Sequence, residues 1–129
     1  MKDECRVWLQ YAEENLASAE VLLQSQLLNP CLQNSQQAIE KALKAVIVGA
    51  GLHVPRTRSI RELMRLVRSH ETSIEMDEDE LDLVDSIYLP SKYPLGSALP
   101  DFAPTDAVAQ RCVSISKRVV AAASDLVSL

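Results

Sequence analysis

The segment CLQNSQQAIEKALKAVIV, residues 31–48, decides the fold of this chain. Most of its residues favour the helix, and Glu40 and Lys44 stand four apart in the order that stabilises one. At 3.6 residues per turn, one face carries mainly apolar side chains: Leu32, Ser35, Ile39, Ala42, Leu43 and Val46. The opposite face is polar: Gln33, Gln37, Glu40, Lys41 and Lys44. The segment therefore predicts an amphipathic helix with one face in the core.

The composition indicates one all-helical domain spanning residues 1–129. Hydrophobic residues make up 47% and charged residues 24% of the chain, as in ordinary globular proteins. Only three glycines occur, and the valines and isoleucines fall within helical patterns. The formal net charge of −5 argues against binding nucleic acid with the whole surface, although a local basic site remains compatible with it.

The cysteines and histidines do not form a metal-binding pattern. Cys5, Cys31 and Cys112 are an odd number without CxxC spacing, and only His53 and His70 could join them. We therefore expect no metal or other cofactor, and reduced thiols, with Cys5 and Cys112 as small core residues. The sequence contains no signal-peptide pattern and no apolar run of the roughly 20 residues that span a membrane, which predicts a cytoplasmic protein.

Capping and proline signals divide the chain into helices. The predicted helices cover about residues 3–27, 31–48, 60–70, 77–89 and 106 onward. The third helix has the clearest start, because Ser59 and Glu62 have the spacing of a capping box. Thr105 is placed to cap the last helix. Four prolines in residues 90–104 predict an ordered, non-helical loop, and long loops in small domains are often functional.

The last helix carries an unusually broad apolar face. Its main stripe comprises Val108, Cys112, Ile115, Val119, Ala122 and Leu126. Val113, Val120 and Val127 widen this stripe. Such a face suggests burial on two sides, by the domain and by a second copy of the chain.

The third helix also carries a row of arginines, which we call the arginine row: Arg58, Arg61, Arg65 and Arg68. These residues are spaced three, four and three apart, so they line one helix face. Residues 71–85 then contain eight acids and no basic residue. Two interpretations stay open: an anion-binding face whose guanidiniums bind phosphate, or a solvated face whose arginines pair with the acidic helix.

Three stretches together resemble the HEPN family, the higher eukaryote and prokaryote nucleotide-binding domain. Trp8 with Ala12, Leu16 and Ala19 resembles its first helix, QQAIEKALKA (36–45) its second, and YLPSKYP (88–94) the loop after its fourth. The resemblance implies an up-and-down four-helix bundle with an additional short helix, of the nucleotidyltransferase substrate-binding type. It further implies a homodimer that binds a nucleotide or RNA and acts with a minimal nucleotidyltransferase, as an accessory subunit or as part of a toxin–antitoxin pair.

Many HEPN proteins are metal-independent RNases with an Arg-x4-6-His motif, and this sequence departs from that motif. Lys92 stands at the arginine position, and no histidine follows in residues 93–98. Lysine lacks the planar guanidinium fork, and without the histidine no group there titrates near neutrality. Arg65 and His70 match the spacing of the motif, but positions five apart lie about 140° apart on a helix. Their side chains would therefore not converge, and we interpret the match as chance.

We therefore predict a binding or accessory protein, with a metal-independent RNase toxin carrying a degenerate motif as the alternative. The resemblance places Lys92 and Tyr93 as contacts for phosphate and base. For Tyr93, a second interpretation stays open, in which its ring anchors the loop by packing on the core. Lys41 and Lys44, or the arginine row, would add phosphate contacts.

Overall fold

The described residues form five helices and no strands. The computed structural model describes residues 2–70, 73–92 and 104–128. The helices are α1 (Lys2–Gln24), α2 (Leu28–Gly49), α3 (Ile60–Arg68), α4 (Glu78–Lys92) and α5 (Asp106–Ser128). The all-helical prediction is confirmed, and the short additional helix is α3, with nine residues.

The central helix is α2, which packs against all four of the others. Its predicted apolar face is buried as expected, but the opposite face is not left to solvent. Glu40 and Lys44 are each only 8% exposed. The amphipathic pattern was therefore wrong for these two residues, because α1 packs on that side of α2, with the Trp8 ring beside Lys44.

Both ends of α2 are shaped by backbone turns. After α1, the N–H of Leu27 donates to the Leu22 carbonyl and that of Gln26 to the Leu23 carbonyl, with Gln26 at a φ of 60°. These two bonds are the Schellman arrangement that ends a helix. The same arrangement recurs after α2, where Gly51 has a φ of 79° that glycine adopts without steric cost.

Side-chain caps start the remaining helices. The Ser59 hydroxyl accepts from the Glu62 N–H at 3.2 Å, as predicted for α3. The other half of the predicted capping box was wrong, because the Ser59 N–H donates to Thr57 Oγ1 at 3.0 Å and not to the Glu62 side chain. Before α4, Asp77 and Glu80 form a full capping box, with bonds of 2.8 and 3.1 Å.

The predicted end of α4 was wrong. The helix does not stop at residue 89 but continues through Pro90 to Lys92. Proline removes one N–H donor, yet its fixed φ lies within the helical range, so the chain can continue at the cost of a hydrogen bond. The beginning of the predicted loop is thus helical, and residues 93–103 lie outside the described residues.

The broad face of α5 is largely covered within the chain itself. Val113 and Val120 are 5% and 4% exposed, and Cys112 and Val119 are buried beside them. At the start of this helix, Thr105 Oγ1 accepts from the Val108 N–H at 3.1 Å, as predicted. This part of the apolar face therefore packs against α1 and α2 within the chain. Other residues of the predicted face are only partly buried: Val108, Ala122, Leu126 and Val127.

Across the described ranges, no helix has the length and apolar character that crossing a membrane requires.

Candidate functional site

The arginine row lies beside the acidic first turns of α4. Arg61 bridges two of these acids, with Nη1 2.6 Å from Glu78 Oε2 and Nη2 2.6 Å from Asp82 Oδ1. The hydrogen bond to Glu78 and the two negative charges raise the pKa of Arg61 above its ordinary value. Of the two interpretations of the arginine row, Arg61 therefore fits the one in which arginines pair with the acidic helix.

The other arginines of the row differ in their surroundings. Arg68 donates through Nη2 to the Met76 carbonyl at 2.7 Å, which ties the end of α3 to the segment before α4. Arg58 lies before the Ser59 cap and outside α3, so the prediction that it shares one helix face with the other arginines was wrong. Its carbonyl accepts from Gln36 Nε2 at 3.2 Å. Arg65 is exposed and forms no hydrogen bond or ion pair with any described residue. Arg65 is the member of the row most open to a ligand.

A carboxylate from α4 occupies the N-terminus of α3. Asp85 Oδ1 accepts from the Ile60 N–H at 2.6 Å, and Oδ2 accepts from the Arg61 N–H at 3.2 Å. The Ser59 hydroxyl donates to the same Oδ2 at 3.1 Å. The first N–H groups of a helix attract anions because they are unpaired and lie at the positive end of the dipole. Here an internal carboxylate satisfies them.

An open cleft lies at this junction. Its volume is about 510 Å³, and it is lined by Arg56, Thr57, Arg58, Ser59 and Asp85. Two arginines and a carboxylate thus border one concave surface, next to a helix N-terminus that is already occupied.

The two lysines predicted as phosphate contacts lie in the α1–α2 interface. Lys44 Nζ is 2.8 Å from Glu40 Oε2 and 5.5 Å from the centre of the Trp8 ring. Both charged side chains are only 10% exposed, so each offsets the cost of burying the other. The ammonium of Lys44 is therefore already engaged within the protein.

Lys41 is more accessible than Lys44. Its ammonium donates to Asn15 Oδ1 at 2.9 Å and lies 5.8 Å from the centre of the exposed Tyr11 ring. Asn15 in turn donates to Asn34 Oδ1 at 3.0 Å. This polar network joins α1 to α2. Lys41 is half-buried, so it remains partly accessible to solvent.

The comparisons with known proteins agree with the helical arrangement. The pattern of the HEPN domain matches residues 5–126 of the chain. The chain belongs to the HEPN family. Its fold is similar to the crystal structure of TT1696 from Thermus thermophilus, with a TM-score of 0.76, 24% identity, and coverage of 95% of this chain and 97% of that one. It is also similar to ST0689, an archaeal HEPN homologue, with a TM-score of 0.71, 25% identity and the same coverage. No curated protein matches the sequence significantly.

In this HEPN domain, the two residues predicted at the motif position, Lys92 and Tyr93, lie at the limit of the described residues. Lys92 is the last residue of α4, and its side chain lies outside the described part of the structure. Tyr93 lies outside the described residues altogether. Their roles stay predictions, as do those of Lys41, Lys44 and the arginine row.

The cysteines of the HEPN domain are core residues. All three are free and buried. Burial raises the pKa of Cys112 to about 12, so its thiolate is scarce near neutrality. Cys5 donates through Sγ to the Ala45 carbonyl at 3.0 Å. Among the described residues, no cluster of histidine, cysteine and acidic side chains could hold a metal ion.

Sequence reasoning missed two charged residues that line clefts of this domain, Asp85 and Arg118. Asp85 was not singled out, because a carboxylate that caps a helix 25 residues away leaves no local pattern. Arg118 of α5 was not singled out either. Its Nη2 lies 2.7 Å from Glu80 Oε1 and 3.2 Å from the Glu75 carbonyl, and together they border a cleft of about 440 Å³.

Proposed function

We propose that this HEPN protein binds RNA or a nucleotide as an accessory component that does not cleave RNA. The observation that carries the proposal is the sequence at the nuclease motif within an otherwise matching family pattern. Lys92 stands at the arginine position, and residues 93–98 contain no histidine, while the pattern matches residues 5–126. Lysine neutralises a phosphate as a point charge, but the site lacks an acid–base group that titrates near neutrality.

In this proposal, the binding surface includes the end of α4 and the arginine row. Lys92 contacts phosphate, and Tyr93 stacks on a base. Arg65 adds a guanidinium on an exposed helix face. Lys41 contributes its ammonium, which also donates to Asn15. The ammonium of Lys44 would first have to break its ion pair with Glu40.

The proposed assembly is a homodimer that acts with a minimal nucleotidyltransferase in a substrate-binding or toxin–antitoxin pair. These partners are drawn from the HEPN resemblance alone, since Val113 and Val120 of α5 are already covered within the chain. Sedimentation at micromolar concentration checks the dimer, and co-purification with a co-expressed nucleotidyltransferase encoded beside it checks the partner. Monomers would contradict the first, and separate elution would contradict the second.

The test of function combines binding with cleavage. Purified protein is incubated with labelled tRNA and mRNA in EDTA, and binding is followed by fluorescence anisotropy. We expect intact RNA and measurable binding that weakens in Lys92→Ala. The matched control is Lys117→Ala, which also removes one positive charge but lies on α5, where it pairs with Glu20 at 3.1 Å.

One alternative has a specific feature in its favour. Arg65 and His70 are both exposed and have the spacing of the nuclease motif, although His70 lies beyond the end of α3. Metal-independent cleavage that disappears in Arg65→Ala and His70→Ala would assign nuclease activity to α3. Cleavage that disappears in Lys92→Ala would place a degenerate nuclease at the end of α4. Either result would overturn the accessory role.

A further inference from the structure

Carboxylates of α4 accept hydrogen bonds from groups at the start of α3 that could otherwise donate to a phosphate. Two helix N-terminal N–H groups and one hydroxyl hold Asp85. A guanidinium holds Glu78 and Asp82. Amides at a helix N-terminus and a forked guanidinium are the donors that phosphate-binding proteins use. The anions on α3 are thus supplied by the chain itself.

These carboxylates are held to different degrees. Asp85 accepts three hydrogen bonds and is partly buried between the helices. Glu78 and Asp82 each make one contact with Arg61, and their side chains are 73% and 74% exposed. Exposed ion pairs are weak because water and salt screen them. Asp85 therefore belongs to the fold, whereas Glu78 and Asp82 can be displaced.

We propose that Glu78 and Asp82 act as an internal competitor, so that an RNA phosphate backbone binds the arginine row only by displacing them from Arg61. This regulation rests on the proposed RNA binding at the same row. Arg65 provides the first contact, since it is exposed next to Arg61 on the helix and has no partner among the described residues. A backbone phosphate bound there brings the next phosphate toward Arg61, where the two carboxylates oppose it.

The competition has a direct consequence for affinity. With both carboxylates present, the charge of Arg61 is already compensated, and an approaching phosphate also meets two like charges. Removing these charges without shortening the side chains frees the guanidinium. The arginine row then gains one available cation and loses two repelling anions.

The experiment compares two double variants with the same change in net charge. Glu78→Gln with Asp82→Asn removes the competitor. Glu13→Gln with Asp125→Asn removes two exposed acids on α1 and α5, where neither forms a hydrogen bond or ion pair with a described residue. Binding of a fluorescein-labelled single-stranded oligouridylate is measured at low salt, and thermal melting checks that each variant is folded.

We expect the Glu78→Gln, Asp82→Asn variant to bind roughly three- to tenfold more tightly than the original chain. The control pair should change affinity by less than about twofold, because Glu13 and Asp125 line a cleft between α1 and α5, which no residue of α3 borders, and because salt screens their charges. Adding Arg61→Ala to the first variant should abolish the gain. An equal gain in both double variants would reduce the effect to net charge and overturn the proposal.

The remaining outcomes separate this inference from the proposed function. If the original chain binds oligouridylate and Lys92→Ala weakens that binding, but removal of the competitor changes nothing, the inference alone is wrong. If the oligonucleotide binds only after removal of the competitor, the inference stands and RNA binding by the unmodified chain is contradicted. Absence of binding in all variants contradicts both.

Discussion

The helices α1, α2 and α5 are joined differently from α3 and α4. Small and aliphatic side chains bring the first three together, and many of them are completely buried: Ala12, Ala19, Ala38, Ile39, Ala42, Leu43, Ala109, Cys112 and Ala123. Between α3 and α4, acids make the polar contacts described above: Asp85 on the N-terminal amides and Glu78 and Asp82 on Arg61. The first region is held mainly by close packing, with the buried Glu40–Lys44 ion pair inside it. The second is held by its apolar face and by exposed or partly buried charged contacts.

This difference separates stability from adaptability. Close-packed apolar contacts are insensitive to salt, and a cavity among them is costly. Exposed charge pairs contribute little and respond to ionic strength and pH. We therefore infer that α1, α2 and α5 form the stable framework, and that the α3–α4 contact is where a ligand or a change in solution conditions acts.

The largest effect should come from a cavity in the framework. Leu43 of α2 is completely buried, so Leu43→Ala should lower the free energy of unfolding by about 2–5 kcal/mol, measured by urea denaturation. Leu27→Ala is the control, since Leu27 is 53% exposed and should cost less than about 0.5 kcal/mol. Equal losses in the two variants would show that close packing at α2 is not what holds the framework.

A smaller loss is expected at the charged contact. Asp85→Ala leaves two N–H groups and the Ser59 hydroxyl without their acceptor, which should cost about 1–3 kcal/mol. Amide hydrogen exchange should accelerate at Ile60 and Arg61 before it does so in α2. Asp79→Ala, on the same helix but exposed and unbonded to described residues, is the control. If exchange rose equally throughout, α3 and α4 would not be a separately adjustable region.

Local rules predicted the helices and their caps well. Periodicity assigned the buried face of α2, and the caps at Ser59 and Thr105 were confirmed, because each depends on residues within one helical turn. The amino-acid sequence of residues 36–45 predicted the family, which the comparisons then showed.

Contacts between distant parts of the chain were not predictable in the same way. Periodicity placed Glu40 and Lys44 on a polar face, but it could not show that α1 would pack against that face, with Trp8 beside Lys44. Excess arginine on α3 and excess acid on α4 were visible, yet the choice between a ligand and an internal partner depends on how two helices pack. The end of α4 was mispredicted for another reason. Pro90 removes one backbone N–H donor, but the loss of one hydrogen bond does not by itself end a helix.

The smallest effect should appear at the contact of α5 with Glu80, as a dependence on pH. The hydrogen bond from Arg118 holds the pKa of the Glu80 carboxyl below its ordinary value of 4.5. Because the folded state binds the proton less tightly than the unfolded chain, the contact stabilises the fold above that value, and its contribution is lost as the pH falls through the lowered pKa.

A double-mutant cycle with Glu80→Gln and Arg118→Met isolates this contribution. The coupling energy from urea denaturation should be below about 1 kcal/mol at neutral pH, since Arg118 is 51% exposed. It should decrease as the pH falls below 4.5 and through the lowered pKa of Glu80. The same coupling should shrink in high salt, whereas the loss caused by Leu43→Ala should not. A coupling that persists in acid would mean that Arg118 acts on Glu80 through packing, and α5 would then join α4 in the same way as it joins α1 and α2.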